Sequence, residues 1–243
     1  MRTASSRIKE GPALNRIWTF GLLFWIGASV LGFAFFVGWF AVSGSSDGQQ
    51  ATETFYLLYV HVFSASSGSF EGDYSAAHLP ATGAVYASAT VLVSAGIAVA
   101  SVVGLLAIVR VYQGRTRLIL GLALLAVILS ILGPSLVALQ QSAAVCSDER
   151  GFPPPLGSPP NGSASSAGCT WAFYLGGGVW FGPGQPQGPE SSFSGQSSQY
   201  GSNLTWGPGA GWYLPLAAGG VMALATLFHP GFRTSRASSL ETK

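Results

Sequence analysis

Residues 109–117 read VRVYQGRTR, the only break in an otherwise uncharged run from Gly83 to Val145. Three arginines, Arg110, Arg115 and Arg117, stand in that break without an accompanying acid. The stretches on either side, 84–109 and 118–145, contain no Asp, Glu, Lys, Arg or His, and two further stretches, 17–43 and 209–229, are alike apart from the terminal His229. A helix rises 1.5 Å per residue, so about 20 residues cross a hydrocarbon core of about 30 Å, and each stretch is long enough. Strands are the weaker reading. Leu, Ala and Gly mix through these runs without alternating, and lipid admits strands only in closed barrels. The whole chain agrees, with 49% hydrophobic and only 8% charged residues in 243, where a soluble domain has about a quarter charged.

The arginines also set an orientation. Short loops rich in Lys and Arg stay on the cytoplasmic side, which places 110–117 inside. Arg2, Arg7, Lys9 and Arg16 precede the first span, and Arg233, Arg236 and Lys243 follow the fourth. Ten of the eleven basic residues thus fall on one face with two acids, while seven acids face Arg150 on the other. The expected order is a cytoplasmic tail 1–16, span 17–43, outer loop 44–83, span 84–109, basic turn 110–117, span 118–145, outer loop 146–208, span 209–229 and cytoplasmic tail 230–243. The expected fold is an all-α transmembrane four-helix bundle, N-in and C-in, with a small β-rich extracellular cap built from the two outer loops. The expected site is the plasma membrane, multi-pass. The bilayer is then one partner, and nucleic acid is not expected, because topology accounts for the basic residues.

The cap is read from two stretches. TFYLLYVHVF (54–63) is dense in aromatic and β-branched residues, and TWAFYLGGGVWF (170–181) reads as two short strands around a glycine turn. FPPPLGSPPNGSASSAG (152–168) and PGQPQGPESSFSGQSSQYGS (183–202) are Pro-, Gly- and Ser-rich and read as irregular excursions. Cys146 and Cys169, the only cysteines, both fall outside. A pair in an oxidising compartment is expected to form a disulfide, stabilising the cap by roughly 3 kcal/mol on the chain-entropy model. Asn161 and Asn203 head the glycosylation sequons Asn-Gly-Ser and Asn-Leu-Thr.

Within the spans, Gly96, Ala100 and Gly104 recur every four residues, a spacing that lets helix backbones approach closely in lipid; the third span is the expected neighbour, and a homo-oligomer contact the alternative. Pro134 lacks a backbone donor and clashes with the carbonyl of Ser130, so a kink is expected there. Gln140 and Gln141 read as interfacial, as do Trp18, Trp39, Tyr112, Trp206, Trp212 and Tyr213 near the span ends. Glu71, Asp73 and His78 cluster in EGDYSAAH, but solvated loop charges are the simpler reading and no metal site is assigned. His61 reads as part of a half-buried polar face.

The layout of cytoplasmic tails, two outer loops and a short basic inner turn resembles the tetraspan architecture of claudins and tetraspanins. The resemblance is one of topology over the whole chain. The first outer loop lacks cysteine, unlike claudins, and in the second Cys146 is followed by Ser147 and Cys169 by Thr170, unlike the Cys-Cys-Gly of tetraspanins. No functional residue carries over.

What the spans lack narrows the function. None holds the intramembrane ionisable residue that ion-coupled transport needs, or a histidine placed to ligate haem. No nucleophile, base and orienting group come together, so no catalytic residue, enzyme activity or cofactor is expected. The leading expectation is a non-enzymatic tetraspan protein whose cap contacts a protein or the envelope, or which serves as an accessory subunit, with a protein partner or a second copy. The alternative is a channel or facilitator for a small neutral solute, using Pro134, Ser130 and Gln140.

Overall fold

The computed structural model describes residues 12–46, 49–64, 68–77, 79–109, 116–150, 174–175, 178–179, 194–199 and 202–228. Four long helices, α1 (Pro12–Phe33), α2 (Pro80–Ile108), α3 (Thr116–Arg150) and α4 (Ala210–Leu227), are each long and apolar enough to cross a membrane. Each packs against two others: α1 and α3 both touch α2 and α4. Glycines set these seams. A Cβ on Gly104 would meet Trp25 of α1 at 2.7 Å, one on Gly27 would meet Met222 of α4 at 2.7 Å, and one on Gly219 would meet Ser130 of α3 at 2.7 Å. Close backbone approach of this kind supplies packing where lipid offers no hydrophobic drive.

Helix length varies, and the variation builds the upper part of the molecule. The Trp212 indole near the start of α4 donates to the Pro134 carbonyl at 2.8 Å, and Trp39, just beyond α1, lies beside Gly133. The tops of α1 and α4 are therefore level with the middle of α3. α3 continues unbroken through Pro134 for another 16 residues, about 24 Å of rise. α2 accompanies it, because Gly133 faces Val93 and the Ala89 carbonyl, leaving the first turns of α2 above that level.

Beside this projecting pair lies a six-stranded antiparallel sheet. Its strands are β1 (Phe40–Ser46), β2 (Gln49–Phe55), β3 (Val60–Ser64), β4 (Gly68–Gly72), β7 (Gly195–Gln199) and β8 (Ser202–Pro208), in the order β4-β3-β2-β1-β8-β7. A separate hairpin pairs β5 (Tyr174–Leu175) with β6 (Gly178–Val179), within the stretch read as a glycine hairpin. The segment between α1 and α2 gives four strands, and the segment before α4 joins them by laying β8 along β1. Alternation then separates two faces. Phe40 and Val42, Ala51 and Phe55, Val60 and Ser64, and Trp206 are buried on one, in register across the strands. The other is a Ser/Thr surface, where Ser43 and Thr52 hydroxyls lie 3.2 Å apart.

Several expectations need correction. The first apolar stretch does not remain helical to 43: α1 ends at Phe33, a 3-10 turn takes Ala34–Phe36, and Phe40 opens β1. Hydropathy cannot separate a lipid-facing helix from a buried strand, and here the chain is turned by backbone crossing. Gly209 and Gly211 N–H groups donate to the Trp39 and Gly38 carbonyls at 2.9 Å, and a side chain at either glycine would collide with that backbone. The run 54–63 is not one strand. β2 ends at Phe55, and residues 56–59 turn with Tyr56 and Tyr59 rings stacked at 4.4 Å. Part of the stretch read as irregular, 195–199, is β7, because β8 supplies a pairing edge. Trp39 and Trp206 are core residues and not interfacial, with the Trp39 indole donating to the Ala34 carbonyl. Gln141 is fully buried, while its neighbour Gln140 is exposed.

Candidate functional site

The junction between sheet and projecting helices holds an unusual concentration of buried polar groups. On the sheet side of it stands Glu53 of β2, half-buried. Strand alternation puts Glu53 on the same face as Ala51 and Phe55, and its register partners are Val42 and Val62, so a carboxyl sits in an apolar row. Loss of hydration pushes that carboxyl up to about 7 from its usual 4.5. Its charge reaches the Tyr74 hydroxyl, which burial already drives well above 10.

Aromatic rings form the wall beside it. Phe55, Tyr74 and Tyr86 stack mutually with centroids 5.3–6.4 Å apart, fastening the sheet to α2. The Tyr74 hydroxyl donates to the Tyr56 carbonyl. Tyr86 has no such outlet: its hydroxyl is buried without a partner, as are the Thr82 hydroxyl one turn earlier and both ends of the Gln141 amide. A buried polar atom without a partner costs roughly 1–3 kcal/mol, so natural structures hold few.

Position explains why Gln141 belongs to the same group. Asp148 of α3 reaches the start of α2, and Gly133 faces Ala89 and Val93. Gln141 lies midway along α3 between these two contacts, which is the level of Tyr86 on α2. Among the described elements, only α2 and the sheet rise that high beside it. Thr82 and Tyr86 of α2 and Gln141 of α3 therefore lie at one level, and the Tyr86 ring stacks on Phe55, two residues from Glu53 on the same face of the sheet.

Asp148 has a different task. Its Oδ1 accepts from the Ala81 N–H at 2.6 Å and its Oδ2 from the Thr82 N–H at 2.8 Å. α2 begins with Leu79 and Pro80 and has no cap of its own. A carboxylate from 66 residues later thus satisfies its orphan donors and opposes the positive end of its dipole.

The residues singled out from sequence are scattered. Glu71 and Asp73 are exposed, Asp73 accepts from the Ala76 N–H at 2.6 Å, and His78 lies outside the described residues. Gly96 packs near Leu31 of α1 as well as Leu129 and Ser130 of α3, and Gly104 packs on α1. Ala100, between them, is fully buried. Ser130 donates to the Val127 carbonyl. Arg117 lies in the first turn of α3, whereas Arg110 and Arg115 lie outside the described residues, as do Cys169 and Asn161. Cys146 is within α3, and Asn203 is exposed on β8. His61 is half-buried on β3, in register with Thr54 and Glu71 on the polar face. Sequence reasoning passed over Glu53. The signal was its phase in QQATETF, where an acid shares parity with Ala51 and Phe55.

The edge of the sheet is the second surface of interest. β4 pairs with β3 along one side, and Phe63 and Phe70 on these strands are each 46% exposed, with Leu58 in the adjoining turn 60% exposed. No protein-family model matches the chain, and no curated protein matches it in sequence.

Proposed function

We propose that this chain is a non-enzymatic tetraspan protein of the plasma membrane, with both termini and the 110–117 turn cytoplasmic, the sheet extracellular and Cys146 joined to Cys169. The sheet then engages a protein partner in or beside the same membrane. Connectivity supports the orientation: the start of α1, the end of α2, the start of α3 and the end of α4 lie at one end of the helices and the sheet at the other. The observation that carries the partner role is the β4 edge: among the described residues no strand pairs with its outer side, and Phe63 and Phe70 beside it are exposed. An unblunted edge of this kind invites an added strand, with flanking aromatics giving specificity. A rigid scaffold stands behind it, since β3 is tied through β2 and the Phe55, Tyr74 and Tyr86 stack to α2.

Affinity capture in mild detergent should recover a stoichiometric partner with the unaltered chain. The substitution Phe63→Lys, on the polar face of the sheet, should abolish recovery without lowering Tm. Repeated recovery of the chain alone as a monomer overturns the reading. Tags at either terminus should react with impermeant reagents only after permeabilisation, and labelling of intact cells would reverse the orientation.

A further inference from the structure

We propose that the compartment between the sheet and the α2–α3 projection binds one small monovalent cation, through the Glu53 carboxylate and the oxygens of Thr82, Tyr86 and Gln141. Three observations converge on it. Among the described residues, the unpartnered buried side-chain atoms belong to Thr82 and Tyr86, one turn apart on α2, and to Gln141 on α3. Tyr86 reaches the sheet by stacking on Phe55, two residues from Glu53, the one acid on that face among the described strands, in a row with Trp206, Val42, Val62 and Phe70. No basic side chain answers that acid among those described.

Chemistry selects the ligand. Hydroxyl, amide and carboxylate oxygens are hard donors suited to hard cations. One carboxylate with neutral oxygens balances a single positive charge, whereas a divalent ion would leave an uncompensated charge among largely buried groups and an anion would face Glu53 directly. Asp148 cannot supply a second carboxylate, because both its oxygens accept from the start of α2.

A proton on Glu53 is the competitor for the same charge. The other titratable groups facing the compartment are Tyr74 from the turn before α2, Tyr86 from α2 and Asp148 from α3. Tyr74 stays a neutral phenol at all ordinary pH values, since burial raises it further above 10. Cation occupancy should therefore rise as the pH passes upward through the range where Glu53 loses its proton.

The test uses the full-length protein in nanodiscs of zwitterionic lipid, following tryptophan fluorescence on heating at pH 8. NaCl, KCl and N-methyl-D-glucamine chloride are compared at equal ionic strength. Na⁺ or K⁺ should raise Tm over the organic cation with a saturable dependence, and the increment should vanish at pH 5 and in Glu53→Gln. Tyr86→Phe and Gln141→Leu should each weaken the apparent affinity about tenfold, equivalent to 1.4 kcal/mol. Equal Tm in all three salts at pH 8 overturns the proposal, as does an increment that persists at pH 5 or in Glu53→Gln. Should Glu53→Gln fail to fold, the pH 5 comparison in the unaltered chain decides.

Discussion

Replacing Glu53 by Gln keeps the shape of the side chain and removes its titration, so it isolates what burial of this carboxyl costs. The folded state holds the proton to about 7, whereas a hydrated carboxyl gives it up at 4.5. Below 4.5 both folded and unfolded chains are protonated and the acid is neutral to stability. Between 4.5 and about 7 the unfolded chain ionises first, so each rise in pH favours unfolding by up to 1.36 kcal/mol per pH unit. Above that window the folded chain has lost about 3 kcal/mol relative to acid. Glu53→Gln should therefore match the parent at pH 4.5 and exceed it by up to about 3 kcal/mol at pH 8, roughly 6–12 °C in Tm for a chain of this size. The assay is thermal unfolding across about pH 4.5–8 in N-methyl-D-glucamine buffers, which withhold the small cations expected to offset the charge. Parallel pH profiles for the two proteins would refute the reasoning, and so would a Glu53→Gln chain that is less stable at pH 8.

Asp148→Ala removes the cap of α2 and leaves the Ala81 and Thr82 N–H groups without acceptors at a buried helix start. A loss of about 2–3 kcal/mol is expected in urea or thermal unfolding, with Asp148→Asn losing less because it retains one acceptor. Gly209→Ala drives a methyl group into the Gly38 carbonyl where α4 crosses the chain leaving α1. It should cost about 1–3 kcal/mol or block assembly of the sheet, read as loss of protease protection of β1 and β8; an unchanged pattern would show that the crossing tolerates separation.

Four membrane-length helices were legible in the sequence because exclusion of charge from hydrocarbon is a local, additive property. VRVYQGRTR separates two of them for the same reason. The rest depended on distant partners. Whether FAVSGSS continues a helix or becomes β1 is settled by β2 on one side and β8 on the other, the latter about 160 residues away. Gln141 looks interfacial beside Gln140, yet helix phase turns one inward and the unequal heights of α1 and α3 decide what it meets. Glu53 looks like one more loop acid until β1 and β3 flank it with Val42 and Val62. Hydrophobic partition is written residue by residue and can be read that way, whereas the cost of burying a polar group depends on neighbours that only the folded chain brings together.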